Sequence, residues 1–336
     1  MGQVKTGLLW EIMKKRILWL LCLFTLFAVL PGPLAAGERV AANSGEKIKI
    51  GVSVPMAVHG WTGAVVQWAK DEIGKQSAKY PNVEFIFVTA NNLEKQALDI
   101  RALMYQNVHG LVILPISDEP LAETLQKAHD MGIFIVAVDR ISPNLARDVL
   151  VTADNHAIGR MCGEFLAQSI GGTGKIVIME GLASSINTMR MEGFKEVMAL
   201  YPGIEILDSQ PVNWNPVIGL EVMEKYLAEH QRLDAIWTGD DSILIKILAA
   251  YEQSGRKDVR LILGLGGAKE VLEKIINGHQ LVKGTINYPA TIISDSIRVA
   301  TEHVAEGLDF PPEIAINCEL VTRENAEQFY DPASLY

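Results

Sequence analysis

At several points where a short apolar run of this 336-residue sequence gives way to polar residues, flat indoles or hydrogen-bonding polar and charged groups follow. His59 and Trp61 come shortly after the run Lys47–Val54, and Asp139-Arg140 directly after Ile133–Val138. Arg190 lies beyond Lys175–Glu180, Trp214 beyond Ile204–Gln210 and Asp240 beyond Asp234–Thr238, while Asn287 closes Leu281–Asn287. An indole covers the C–H face of a ring, and Asp, Asn and Arg form paired hydrogen bonds with neighbouring hydroxyls. These types suit holding a small polyhydroxylated molecule. Asp241 fits a different job, since an acidic residue at a helix start complements the helix dipole. Trp68, two helix turns past Trp61, reads as core.

Motifs for catalysis fail one by one. Gly171-Gly-Thr-Gly174-Lys175 resembles a phosphate loop, but Ile176 stands where Ser or Thr should bind magnesium, and a strand follows instead of a helix. Gly264-Leu-Gly266-Gly267 lacks the third glycine of a dinucleotide fingerprint, so a turn accounts for it better. The seven histidines show no metal-ligand spacing. A nucleophile elbow is missing, and no two carboxylates stand out as an acid/base couple. No cofactor, no metal and no enzymatic activity are expected.

The elements that must position these residues alternate. Strand candidates at Lys47–Val54, Val83–Thr89, Gly110–Pro115, Ile133–Val138 and Leu150–Ala153 form a first set. Lys175–Glu180, Ile204–Gln210, Asp234–Thr238, Arg260–Gly264 and Leu281–Asn287 form a second. Most are continuously apolar, as strands covered on both faces should be. Helical stretches such as Ala64–Lys79, Leu93–Asn107, Glu119–Asp130 and His156–Ile170 lie between them, the first with a Val65, Ala69, Ile73 stripe. Two rounds of strand–helix alternation predict two parallel α/β sheets, with ligand bound beyond the carboxyl ends of their strands.

Composition sets the compartment and excludes one partner class. The chain is 49% apolar and carries a net charge of −10, unlike a nucleic-acid binder with its basic face. Lys5, Lys14, Lys15 and Arg16 against Glu11 leave residues 1–36 at +3, so the remaining 300 residues carry −13. That first segment reads as a signal peptide: a basic start, an apolar run Ile17 to Leu30 broken only by Thr25, then a small-residue exit. The run is short of the roughly twenty residues of a spanning helix. Cleavage is expected after Ala36 or Gly37, and Met13 offers a second start. Cys162 and Cys318 remain in the mature chain, with two free thiols and one long-range disulfide both open.

Five stretches in order carry a family resemblance: Val136-Ala-Val-Asp139-Arg140, Ala153-Asp154-Asn155, Met189-Arg190-Met-Glu192-Gly193-Phe194, Trp237-Thr-Gly-Asp240-Asp241 and Gly284-Thr-Ile-Asn287-Tyr288-Pro289. From about Ile48 to Glu319 the chain resembles the periplasmic substrate-binding proteins of sugar ABC transporters, of the ribose-binding type (type I periplasmic binding proteins). The resemblance implies an α/β fold of two Rossmann-like parallel-sheet lobes joined by three hinge crossovers. These fall near Thr152–Asp154, Asn287–Pro289 and Asn317–Glu319. The N-terminal lobe is then 47–152 plus 288–318, and the C-terminal lobe 153–287 plus 319–336.

It also implies roles. Asp139 and Arg140 grip ligand hydroxyls, Arg190 reaches in from the second lobe and Trp214 stacks on a ring face. The sequence departs from the ribose binders at several points. Asp240 stands where Asn is usual and Asn287 where Gln is common. His59 replaces an Asn, Trp61 and Thr62 replace two Phe residues, and Gly266 takes the place of an Asp that contacts the sugar. These changes favour a larger or differently oriented pentose, hexose, deoxyhexose or polyol over ribose. The implied protein is a single chain in the periplasm or cell envelope, meeting the membrane only through an ABC transporter permease and binding no nucleic acid. A periplasmic sensor that presents a sugar-like signal to a chemoreceptor or histidine kinase is the alternative, and an exported sugar-acting enzyme a weaker one.

Overall fold

The computed structural model describes residues 47–57, 60–117, 121–140, 144–334 and 336. The expected signal peptide and His59 lie outside the described residues.

Side-chain alternation explains why the strands are buried on both sides. Ile48, Ile50, Val52 and Val54 of β1 (Ile48–Pro55) all enter one core. On β3 (Gly110–Ile113), Val112 enters that same core while Leu111 and Ile113 point into another, and β4 (Phe134–Val138) divides Val136 and Val138 from Ile135 in the same way. With β2 (Val83–Ala90), β5 (Val149–Thr152) and β11 (Glu313–Ala315) they form a six-stranded sheet ordered β11-β5-β4-β3-β1-β2, every pairing parallel. Helices α1 (Gly60–Lys79) and α9 (Ile292–Glu306) cover one face; α2 (Leu93–Tyr105) and α3 (Ala122–Asp130) cover the other. Val65 and Ala69 of the expected α1 stripe are buried, and Trp68 packs against the same core.

A second parallel sheet, ordered β7-β6-β8-β9, repeats the scheme with β6 (Thr173–Glu180), β7 (Gly203–Pro211), β8 (Ala235–Trp237) and β9 (Leu261–Leu263). Val177 and Met179 of β6 face α6 (Pro216–Glu229), α7 (Asp241–Gln253) and α8 (Lys269–Ile276). Ile176 and Ile178 face α4 (Asn155–Ser169) and α5 (Ser185–Met198). Gly171 and Gly172, both at positive φ, make the turn into β6, so the pseudo phosphate loop is strand entry.

The two rounds of alternation appear as two lobes, each a parallel sheet covered on both faces. Three short stretches carry the chain between them: Thr152 to Asn155, Ile286 to Ile292, and Ala315 to β12 (Leu320–Thr322). The last expected strand is shorter than its apolar run, spanning only Gly284–Ile286 as β10, which pairs antiparallel with β12. Strands β11 and β12 have three residues each, too short to show a period, and are set by the neighbours they meet. Helix α10 (Ala326–Phe329) follows.

Candidate functional site

In each sheet the strand order reverses once, between β1 and β3 and between β6 and β8, and at such switch points the loops leaving adjacent strands diverge and open a crevice. The loops at both switch points face one cavity. Pro55, Leu114, Asp139 and Arg140 line it from the first sheet's strand exits, with Trp61 and Thr62 from the first turn of α1. Trp214, Gly239, Asp240, Leu265 and Gly266 line it from the second lobe, with Ile186 and Arg190 from α5. Six candidate residues therefore meet: Trp61, Asp139, Arg140, Arg190, Trp214 and Asp240. Asn287 is not among the lining residues; its neighbour Tyr288 takes that place. A larger depression of about 340 Å³, lined by residues such as Gln126, His129, Arg147 and Asp148, opens at the opposite ends of the first sheet's strands and gathers none of the candidates.

Local backbone geometry aims several of these side chains. The amide of Arg140 donates to the Val138 carbonyl at 2.8 Å, a tight turn over Asp139, whose φ is +69°. Thr152 Oγ1 steadies the turn by donating to the Asp139 carbonyl at 2.7 Å. Asn213 and Trp214 both have φ of +55°. Asp and Asn tolerate this region; a tryptophan there costs on the order of 1–2 kcal/mol, and such strain concentrates at functional sites. The indole lies so close to Gly181, at the exit of β6, that a Cβ there would sit 2.3–2.5 Å from it. Only glycine leaves that space.

Tyr288 organises the centre of the cleft, a role that the motif Asn287-Tyr288-Pro289 did not disclose. Its hydroxyl donates to Asp139 Oδ1, and its carbonyl accepts from Trp61 Nε1 at 3.0 Å. Its ring lies 5.7 Å from that of Trp61, and the Arg190 guanidinium stands 4.7 Å from the ring centroid. Arg190, only 6% exposed, also donates through Nε to Asn155 Oδ1 at 2.8 Å, so the Asn of the Ala153-Asp154-Asn155 motif holds the arginine in place. Tyr288 is itself buried, and burial together with the Asp139 charge raises its phenol well above the usual range.

The two acidic residues at the start of α7 divide their work differently from the expectation. Asp240 is the N-cap, its carboxylate accepting from the amides of Ser242 at 2.7 Å and Ile243 at 3.3 Å, and it also borders the cavity. Burial pushes its carboxyl up to about 6, against the two amides and Arg190, which favour the ionised form. Asp241 turns away from the helix start. It accepts from the amides of Gly267 and Ala268, both at 2.8 Å, and from Thr285 Oγ1 at 2.9 Å, tying the exit of β9 to β10. Burial holds it at about 7, with the neighbouring Asp240 adding to the rise. Cys162 and Cys318 are free thiols, and burial pushes both up to about 12.

Among the described residues no group of three or more His, Cys, Asp or Glu is arranged to hold a metal ion, and no helix is long and apolar enough to cross a membrane. Two carboxylates and two guanidinium groups balance within the cleft beside two indoles. One lining residue lies far from every motif: Tyr336, whose ring packs against core residues of both lobes.

Residues 50–307 match the family model of the periplasmic binding protein domain. The ribose import binding protein of Escherichia coli is 23% identical over 298 residues, covering 88% of this chain and 98% of that protein. The xylitol-binding protein of Mycolicibacterium smegmatis is 26% identical over 255 residues, 74% of this chain and 72% of its own. A solute-binding protein of Bacillus halodurans with bound myo-inositol shares the fold, with a TM-score of 0.77, 24% identity and coverage of 85% and 98%. The chain belongs to the periplasmic binding protein family, with the two-lobed fold of its ribose-binding-like members.

Proposed function

From that membership we propose that the protein captures a small neutral sugar or polyol between its lobes and delivers it to an ABC transporter. The observation that carries the reading is the cleft itself. Trp61, Asp139 and Arg140 from one lobe face Arg190, Trp214 and Asp240 from the other, and the charges match two against two. A balanced set gives no net pull on an ion, yet offers donors and acceptors at fixed positions to a molecule dense in hydroxyls. The indoles supply apolar cover for a ring's C–H faces. Relatives named for ribose and xylitol agree with this chemistry.

Contacts drawn from both lobes favour the closed arrangement by their differential strength, a population shift between hinged states. The hinge would lie in the three crossing stretches, with the lobes divided at 47–152 plus 288–318 and 153–287 plus 319–336. Export through a cleaved leader and a permease partner complete the reading. Micromolar capture corresponds to about −8 kcal/mol, within reach of two indoles and several charge-assisted hydrogen bonds after ordering costs.

A thermal-shift screen against pentoses, hexoses, deoxyhexoses, polyols and furanosides tests it. At a hundredfold excess over Kd, a true ligand adds about 2.7 kcal/mol of stability. Silence across the whole panel, with a phosphorylated or amino sugar active instead, would refute the neutral-ligand reading.

A further inference from the structure

Tyr336 stands in the cleft among the candidate residues. Its phenol lines the cavity and packs on the cores of both lobes. On the first-lobe side, a Cβ added to Gly60 would lie 2.8 Å from Cδ2 and Cε2 of the ring; on the second-lobe side, one added to Gly266 would lie 2.0 Å from the hydroxyl oxygen. That same Gly60 position is 2.9 Å from Ser242 Oγ, so the lobes meet at the rim with the ring enclosed. The remaining space is about 50 Å³, enough for a water or two and far short of the roughly 300 Å³ at which small-molecule sites begin.

Two features mark the ring as an occupant that can leave, not a fixed wall. Its hydroxyl is buried and has no hydrogen-bond partner among the described residues, a standing cost that a permanent structural tyrosine would have had relieved. Its tether is a short tail. Beyond Tyr330, which donates to Glu273 Oε1 at 2.8 Å, the tail is held by Lys269 Nζ donating to the Pro332 carbonyl and by a turn at Asp331, and among the described residues the backbone of Tyr336 is bonded only to the Ser334 hydroxyl. Gly266 supplies the space: at φ +145° and without a side chain, it leaves room for the phenolic oxygen where any Cβ would collide.

We propose that Tyr336 is an intramolecular occupant of the cleft, which holds the lobes together without ligand and which a sugar must displace to bind. This rests on the sugar-capture reading above and adds a competitor to it. When the binding-competent form is a minor fraction, apparent affinity falls by that fraction. Freeing the cleft of an occupant present in nine molecules of ten thus strengthens binding about tenfold.

The test compares the full chain with Tyr336→Ala and with a variant lacking residues 331–336. Small-angle scattering is measured without ligand, and calorimetric titration is run with D-ribose, xylitol and myo-inositol. Both variants should expand without ligand, and whichever probe the full chain takes should bind them about tenfold more tightly. Tyr336→Phe should do the reverse, since removing the unpaired hydroxyl strengthens the plug. An unchanged radius of gyration in both variants overturns the proposal whatever the titrations give. Weaker probe binding by Tyr336→Ala overturns it too, making Tyr336 a ligand contact. If no probe binds any variant, the scattering still decides whether Tyr336 holds the lobes together, and the loss falls on the sugar reading.

Discussion

Replacing Arg190 with methionine keeps most of the side-chain volume but removes three interactions at once. The Nε bond to Asn155 Oδ1 is a hydrogen bond from a charged donor, of a kind that contributes about 1.5–3 kcal/mol. The guanidinium against the Tyr288 ring adds about 0.5–2 kcal/mol. The third is attraction to the Asp240 carboxylate, and it depends on pH. Asp240 has its folded pKa raised to about 6 and Asp241 to about 7, both above the ordinary 3.8. In such cases the stabilising effect of the bound proton is full below about pH 4 and is lost as pH rises through 6 to 7, so the native protein should lose stability over that window. Arg190 lessens the loss by favouring the ionised Asp240. At pH 5 Asp240 is mostly protonated in the folded protein and Arg190 has little to attract; at pH 8 the attraction is fully expressed. Arg190→Met should therefore cost about 2–5 kcal/mol at pH 5, from the two contacts together, and more at pH 8, where the ionised Asp240 loses its neighbouring cation. Urea unfolding of both proteins at the two pH values measures this. A cost below about 0.5 kcal/mol, or one that shrinks as pH rises, would refute the argument.

Three further substitutions probe the site. Arg140→Ala should weaken sugar binding by about 2 kcal/mol or more, because ligand hydroxyls lose a charged donor; near-normal affinity by titration calorimetry would remove Arg140 from the site. Tyr288→Phe should destabilise the fold by about 1.5–3 kcal/mol through the lost bond to Asp139, and an unchanged denaturation midpoint would contradict that. Gly181→Ala should shift the Trp214 emission and weaken binding at least tenfold while moving the melting temperature by only a few degrees, since the new methyl must push the indole aside; binding equal to the parent would show that Trp214 does not need its present position.

The positions of most strands could be read from continuous apolar runs, because a strand covered on both faces leaves a signal at every residue. Residues at strand exits inherited that legibility: Asp139 and Arg140 follow directly on β4, and Asp240 lies three residues past β8. Asn287 does not line the cavity while its neighbour Tyr288 does, because successive side chains near a strand end point to opposite sides. The divided labour of Asp240 and Asp241 was likewise hidden, since which one meets Gly267 and Thr285 depends on how β9 and β10 approach α7.

The sequence alone settled the alternation, and with it the pair of parallel sheets and the edge at which a ligand site must form, because periodicity and covered faces are local properties of the chain. Tertiary structure decided what meets across that edge. The nearness of Trp214 to Gly181, of Arg190 to Tyr288 and of Tyr336 to Gly266 joins residues 33, 98 and 70 positions apart. No short-range pattern encodes such separations; they arise when the fold gathers strand exits and a distant tail at one cleft.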